Sequence, residues 1–149
     1  MPSLSFREKM SGNYWRLDAP TEERALTLTF EARVADVTEL VKTGTWALTG
    51  TIDAEGLARA GELEGTLRFA LLKERRVPYR FVFRGDDGRR YELSGQKEWT
   101  GLAPVASMTL LPATLVDEHG DELARATLRF DLRADMLAWV KSFRFRLRG

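Results

Sequence analysis

Cysteine is absent from the 149 residues and histidine occurs once. The first absence excludes a disulfide framework, a thiolate nucleophile and any Cys-ligated metal. The single histidine, His119, falls in the acidic run Asp117-Glu118-His119-Gly120-Asp121, where it reads as an exposed turn residue. No histidine cluster for a metal and no catalytic triad can be assembled around it. An excess of one charge is lacking too. Twenty-three basic against 22 acidic side chains leave a net charge of +1, too little for a global field that draws nucleic acid or an anionic membrane. No apolar run approaches the roughly eighteen residues of a membrane-spanning helix, and the opening MPSLSFREKM has no continuous apolar core of the signal-peptide kind. Glycine-rich nucleotide or phosphate motifs are missing, so no cofactor is expected. Neither GDDG nor DEHGDE has the spacing of a calcium loop.

What is present is ordinary for a globular chain: 44% hydrophobic and 30% charged residues suit one domain over residues 1–149. The expected setting is cytoplasmic, with no nucleic-acid partner and no membrane span. The informative feature is alternation. Leu26, Leu28, Phe30, Ala32 and Val34 alternate with Thr27, Thr29, Glu31 and Arg33, the pattern of a half-buried strand. Trp46, Leu48, Gly50 and Ile52 repeat it, as do Leu63, Gly65, Leu67, Phe69 and Leu71. Tyr79-Arg80-Phe81-Val82-Phe83-Arg84 and Arg90-Tyr91-Glu92-Leu93-Ser94 flank Gly85-Asp86-Asp87-Gly88, a hairpin turn by length and chemistry. Two longer arms, Val105 to Val116 and Leu123 to Leu132, enclose the His119 turn, and Ser142 to Leu147 forms a last strand. Proline cannot donate to a ladder, so Pro112 predicts a bulge or an edge. At the start, Leu4 and Phe6 lead to Glu8 and Met10, and Ser11-Gly12-Asn13 reads as the strand's end.

Two helices are expected. Asp36 is placed to cap a short one running through Val41 and stopped by Gly44. Ala134 to Lys141 has helical spacing and carries Trp139. About nine hairpin-linked strands, each with one apolar face, must close or fold over to hide those faces. The fold class is therefore all-β, an antiparallel up-and-down, lipocalin-like barrel with a short C-terminal helix. A two-sheet sandwich is the alternative.

Candidate site residues come from two sets. Glu8 and Lys97 are charges at positions whose strand parity is apolar. Lone burial costs several kcal/mol, so the simplest expectation places both at strand ends with their heads at the rim. Pairing across a barrel or contact with a ligand are the alternatives. The second set is aromatic: Trp46, Tyr79, Phe81, Phe83, Tyr91 and Trp139. These residues either fill the core or line a cavity for one apolar molecule. Gly50, Gly65 and Gly95 on the same faces mean either space or curvature. Alternating Arg144, Arg146 and Arg148 read as a solvated outer face, with contact to a phosphate or a carboxylate as the alternative.

Several of these segments resemble a known module. FREKMSG (Phe6, Glu8, Met10, Gly12), LTGTI (Leu48–Ile52) and above all YRFVFRGDDGRRYELSGQK (Tyr79–Lys97) are similar to the β-rich domain ahead of the catalytic part in bacterial cholesterol-oxidase-like flavin oxidoreductases of the glucose–methanol–choline type. The likeness continues weakly to MLAWVKSFRF. The flavin-binding and catalytic regions of that family have no counterpart in this sequence, so its activity does not carry over. What the resemblance implies is an accessory module that contacts a lipid-like substrate or a partner enzyme.

Two functional expectations follow. One is a non-catalytic barrel binding a hydrophobic small molecule of sterol or fatty acyl type, lined by the aromatics and anchored by Glu8 and Lys97. The other is an interaction module docking onto a partner oxidoreductase or hydrolase, or onto itself, through an apolar patch near Trp15 or Trp99. An enzymatic reading requires Glu8 as a base in an apolar cavity.

Overall fold

The computed structural model describes residues 2–68, 76–98, 110–130 and 144–147. Nine strands run in chain order: β1 (Pro2–Arg16), β2 (Arg24–Val34), β3 (Thr45–Ala54), β4 (Ala58–Arg68), β5 (Arg76–Arg84), β6 (Arg90–Glu98), β7 (Leu110–Val116), β8 (Glu122–Arg129) and β9 (Arg144–Leu147). Helix α1 (Val37–Thr43) joins β2 to β3. Its ends are those expected: the Asp36 side chain accepts from the Thr38 amide, and Gly44 adopts the left-handed conformation, its amide donating to Leu40. The Ala134–Lys141 segment expected to be helical lies outside the described residues.

Each of β2 to β8 pairs antiparallel with its neighbour in sequence, β8 pairs with β1, and β1 pairs back onto β2. Eight strands thus close into an up-and-down barrel, and closure rather than a sandwich satisfies the edges. The ninth, β9, pairs with Pro2–Ser5 of β1, beyond the Ser11–Arg16 stretch that β8 occupies.

Closure happens where the sequence suggested a break. Ser11 to Tyr14 pair with β2 on one side and with β8 on the other. Gly12 does not end the strand. A Cβ there would lie 1.9 Å from the Thr127 carbonyl oxygen, so glycine is needed to let β8 cross close to β1. Gly50, Gly65 and Gly95 work in the same way: each Cβ would meet a neighbouring-strand carbonyl oxygen at 2.0, 1.9 and 2.1 Å. These inward glycines provide curvature, not space.

Pro78 and Pro112 mark ladder margins. The β4–β5 ladder begins at Tyr79 and the β6–β7 ladder at Ala113, so Pro78 and Pro112 each stand one residue outside it on that side. Pro112 accordingly needs no bulge, and the register shift in β7 falls at Leu115/Val116 instead.

The inward faces form one cluster from Phe6, Met10 and Tyr14 through Leu28, Phe30, Leu48, Ile52, Leu63, Leu67, Phe81, Leu93 and Leu128. Outward positions carry Thr, Arg and Glu. That alternation is the reverse of a barrel whose outer face meets lipid.

Candidate functional site

Two charges sit inside this apolar cluster. Glu8, on β1, faces inward between Phe6 and Met10, and Lys97 faces inward near the end of β6. Their side chains retain 4% and 6% of their exposure, and Lys97 Nζ lies 2.8 Å from Glu8 Oε1. The rim expectation is therefore overturned. Both residues are buried, because the barrel's stagger brings the late end of β6 across to the middle of β1.

Tyr79 completes the cluster from β5. Its hydroxyl lies 3.4 Å from Glu8 Oε1 and 3.3 Å from Oε2. The phenol is pushed well above its ordinary pKa, first by burial and then by the adjoining Glu8 charge and hydrogen bond. It stays a neutral donor to the carboxylate. The Tyr79 partner across the β5–β6 ladder is Gly95, so Lys97, two residues on, is its diagonal neighbour. The ammonium stands 5.0 Å from the Tyr79 ring centroid and 5.8 Å from that of Phe130, within cation–π range.

An ammonium has three N–H donors. Among the described residues Lys97 has one hydrogen-bond acceptor, Glu8 Oε1. Among those residues the cluster thus offers a cationic donor with capacity to spare beside aromatic faces.

The remaining candidates divide. Phe81 belongs to the same wall, stacked on Tyr79 at 5.8 Å and 5.4 Å from Phe30. Trp46 is buried against Phe6, edge to face at 4.9 Å. Phe83 and Tyr91 stack on one another at 5.7 Å, but toward the hairpin turns and away from the charged pair. There the interior is filled. The void lined there by Tyr14, Leu26, Ile52, Leu57, Phe83 and Leu93 among others measures about 10 Å³, less than a water needs with any comfort. The Tyr91 hydroxyl donates to Asp87 Oδ2 at 2.6 Å. Burial, then that bond, pushes its pKa up to about 12. Tyr14 similarly donates to the Glu55 carbonyl, and burial is the main reason its pKa is raised. Trp139 and Trp99 lie outside the described residues, and Trp15 is half-buried.

Alternation had marked Phe6 and Phe30 as inward, but only the folded barrel puts them beside Trp46, Tyr79 and Phe81. Tyr14 escaped notice because the strand was expected to end before it.

No family model matches this chain, and no curated protein matches it. Among solved structures, the chain is similar to a de novo designed fluorescence-activating β-barrel, at 14% identity over 83% of this chain and 92% of that one, with a TM-score of 0.45.

Proposed function

We propose that the protein is a non-catalytic β-barrel module that binds an apolar small molecule by its polar end, of fatty acyl or sterol type. Glu8, Tyr79 and Lys97 form the anchor. One observation carries this reading: a buried ammonium with a single acceptor among the described residues, set in an otherwise apolar interior. A buried ion pair is no better for stability than apolar packing of the same volume, so stability alone does not account for its presence. A ligand carboxylate or hydroxyl would take the spare ammonium donors, and Phe30, Phe81 and Phe130 would border its first carbons. The filled interior at the hairpin-turn end leaves the ligand's tail to the opposite end.

Native mass spectrometry and displacement of a fluorescent fatty-acid analogue test the proposal. A saturable 1:1 complex is expected, weakened at least tenfold when Glu8→Leu and Lys97→Met are combined. Absence of saturable binding to both a fatty acid and a sterol, or equal binding by the double variant, overturns it.

A docking role beside a partner enzyme is the second reading. Phe145 favours it, 60% exposed on β9, the outermost strand of the sheet order. Co-purification of wild-type protein but not Phe145→Ser with an oxidoreductase or hydrolase is the expected result.

A further inference from the structure

On the outside of the barrel, Ser3, Ser5 and Arg7 of β1, Glu31 and Arg33 of β2, and Arg144 and Arg146 of β9 surround a cleft of about 390 Å³. The register explains its shape. Ser5 is the Cα partner of Arg33 on one side and of Arg144 on the other, while Ser3 faces Arg146 and Arg7 faces Glu31. Two short serines therefore form the floor and long arginines on three adjacent strands form the walls. Cross-strand neighbours stand about 5 Å apart, so the guanidinium-bearing stems at 33 and 144 straddle Ser5 within about 10 Å of each other.

The charge is local. Among the described residues that line it, four arginines stand with one glutamate, Glu31, which lies 3.8 Å from Arg7, whereas the whole chain carries only +1. Among the described residues neither Arg33 nor Arg146 has an acidic partner within ion-pair distance. Guanidinium groups bind phosphate oxygens through paired N–H donors, and serine hydroxyls add short-range donors at the floor. The volume is that of a site for a small organic molecule, larger than a lone ion requires.

We propose that this cleft binds a phosphate-bearing small molecule, independently of the barrel interior. Arg33 and Arg146 would grip the phosphate over Ser5 and Ser3, with Arg7 and Arg144 flanking it.

Isothermal titration of the full chain with inorganic pyrophosphate and with adenosine monophosphate tests this. Saturable one-to-one binding is expected. Arg33→Ala with Arg146→Ala should weaken it at least tenfold, and Arg59→Ala with Arg90→Ala, an equal loss of charge elsewhere, should leave it unchanged. Near-ultraviolet circular dichroism verifies that both variants fold, and if the first does not, Arg33→Gln alone replaces it with a smaller loss expected. Equal weakening by the two double variants reduces the effect to net charge and overturns the proposal. So does absence of saturation. Tighter binding of a single-stranded oligonucleotide with a steep salt dependence, and none of pyrophosphate, replaces the small-molecule site with a polyanion surface.

Discussion

Lys97 and Glu8 lie 89 positions apart in sequence, yet their charged atoms meet at 2.8 Å inside the barrel. The contact joins β6 to β1 across the interior, not through any ladder. It therefore depends on the barrel being closed, and its loss reports on the core as a whole.

Breaking the pair from one side leaves an uncompensated buried charge. Lys97→Met is expected to destabilise the protein by about 3–5 kcal/mol, and Glu8→Leu by a similar amount. Combining them should recover most of that loss, since apolar side chains then fill the site. Urea unfolding of the two single variants and the double variant checks it. Additive losses in the double variant would contradict the account.

The protein's three tyrosines, Tyr14, Tyr79 and Tyr91, all have pKa values raised above 10.0, with burial the first cause in each. A raised native pKa means the unfolded tyrosine loses its proton first. The stabilisation is full below pH 10.0 and fades as pH climbs toward the native values, about 12 for Tyr91. Tyrosinate absorbance should therefore stay low through pH 10 in native protein and rise together with loss of β circular dichroism. Free titration of even one tyrosine near pH 10 would count against its buried placement.

Asp87 is held below the usual carboxylate range first by the Tyr91 hydroxyl and then by the Arg89 amide. Its contribution is present above its unfolded value and is lost as pH falls through the lower native one. Tyr91→Phe removes the larger cause, so carboxyl-carbon NMR should show the Asp87 titration move upward, with the Arg89 amide contact retained.

Gly65→Ala would push a methyl carbon to 1.9 Å from the Arg80 carbonyl oxygen and 3.0 Å from the Phe81 Cα. Backbone cannot yield there as a flexible side chain can, so a loss of about 1–3 kcal/mol or more is expected in denaturant unfolding. Gly88→Ala is a useful contrast. That turn residue has open space for a Cβ and a φ of 80°, so its smaller loss, about 1 kcal/mol, is conformational.

Alternation determined most of the strands, their inward faces and an all-β antiparallel fold, because side-chain period two is local, while the β1–β2 pairing decided for a closed barrel over a sandwich. It also determined the caps of α1, since Asp36 and Gly44 act within one helical turn. Where a glycine means close approach, local pattern misleads. Gly12 looked like a strand end because its reason, the Thr127 carbonyl, lies 115 positions away.

The same distance separates what could be seen of the candidate sites from what could not. Parity showed that Glu8 and Lys97 were misplaced charges, but the choice among rim, ligand and partner belongs to barrel stagger, which no single strand encodes. The arginine cleft is likewise invisible in sequence order: Arg7, Arg33, Arg144 and Arg146 become neighbours only because β2 and β9 flank the same end of β1. Sequence assigned each side chain its face, and tertiary structure assigned it its neighbours, since the contacts that set charge and chemistry here run between strands far apart in the chain.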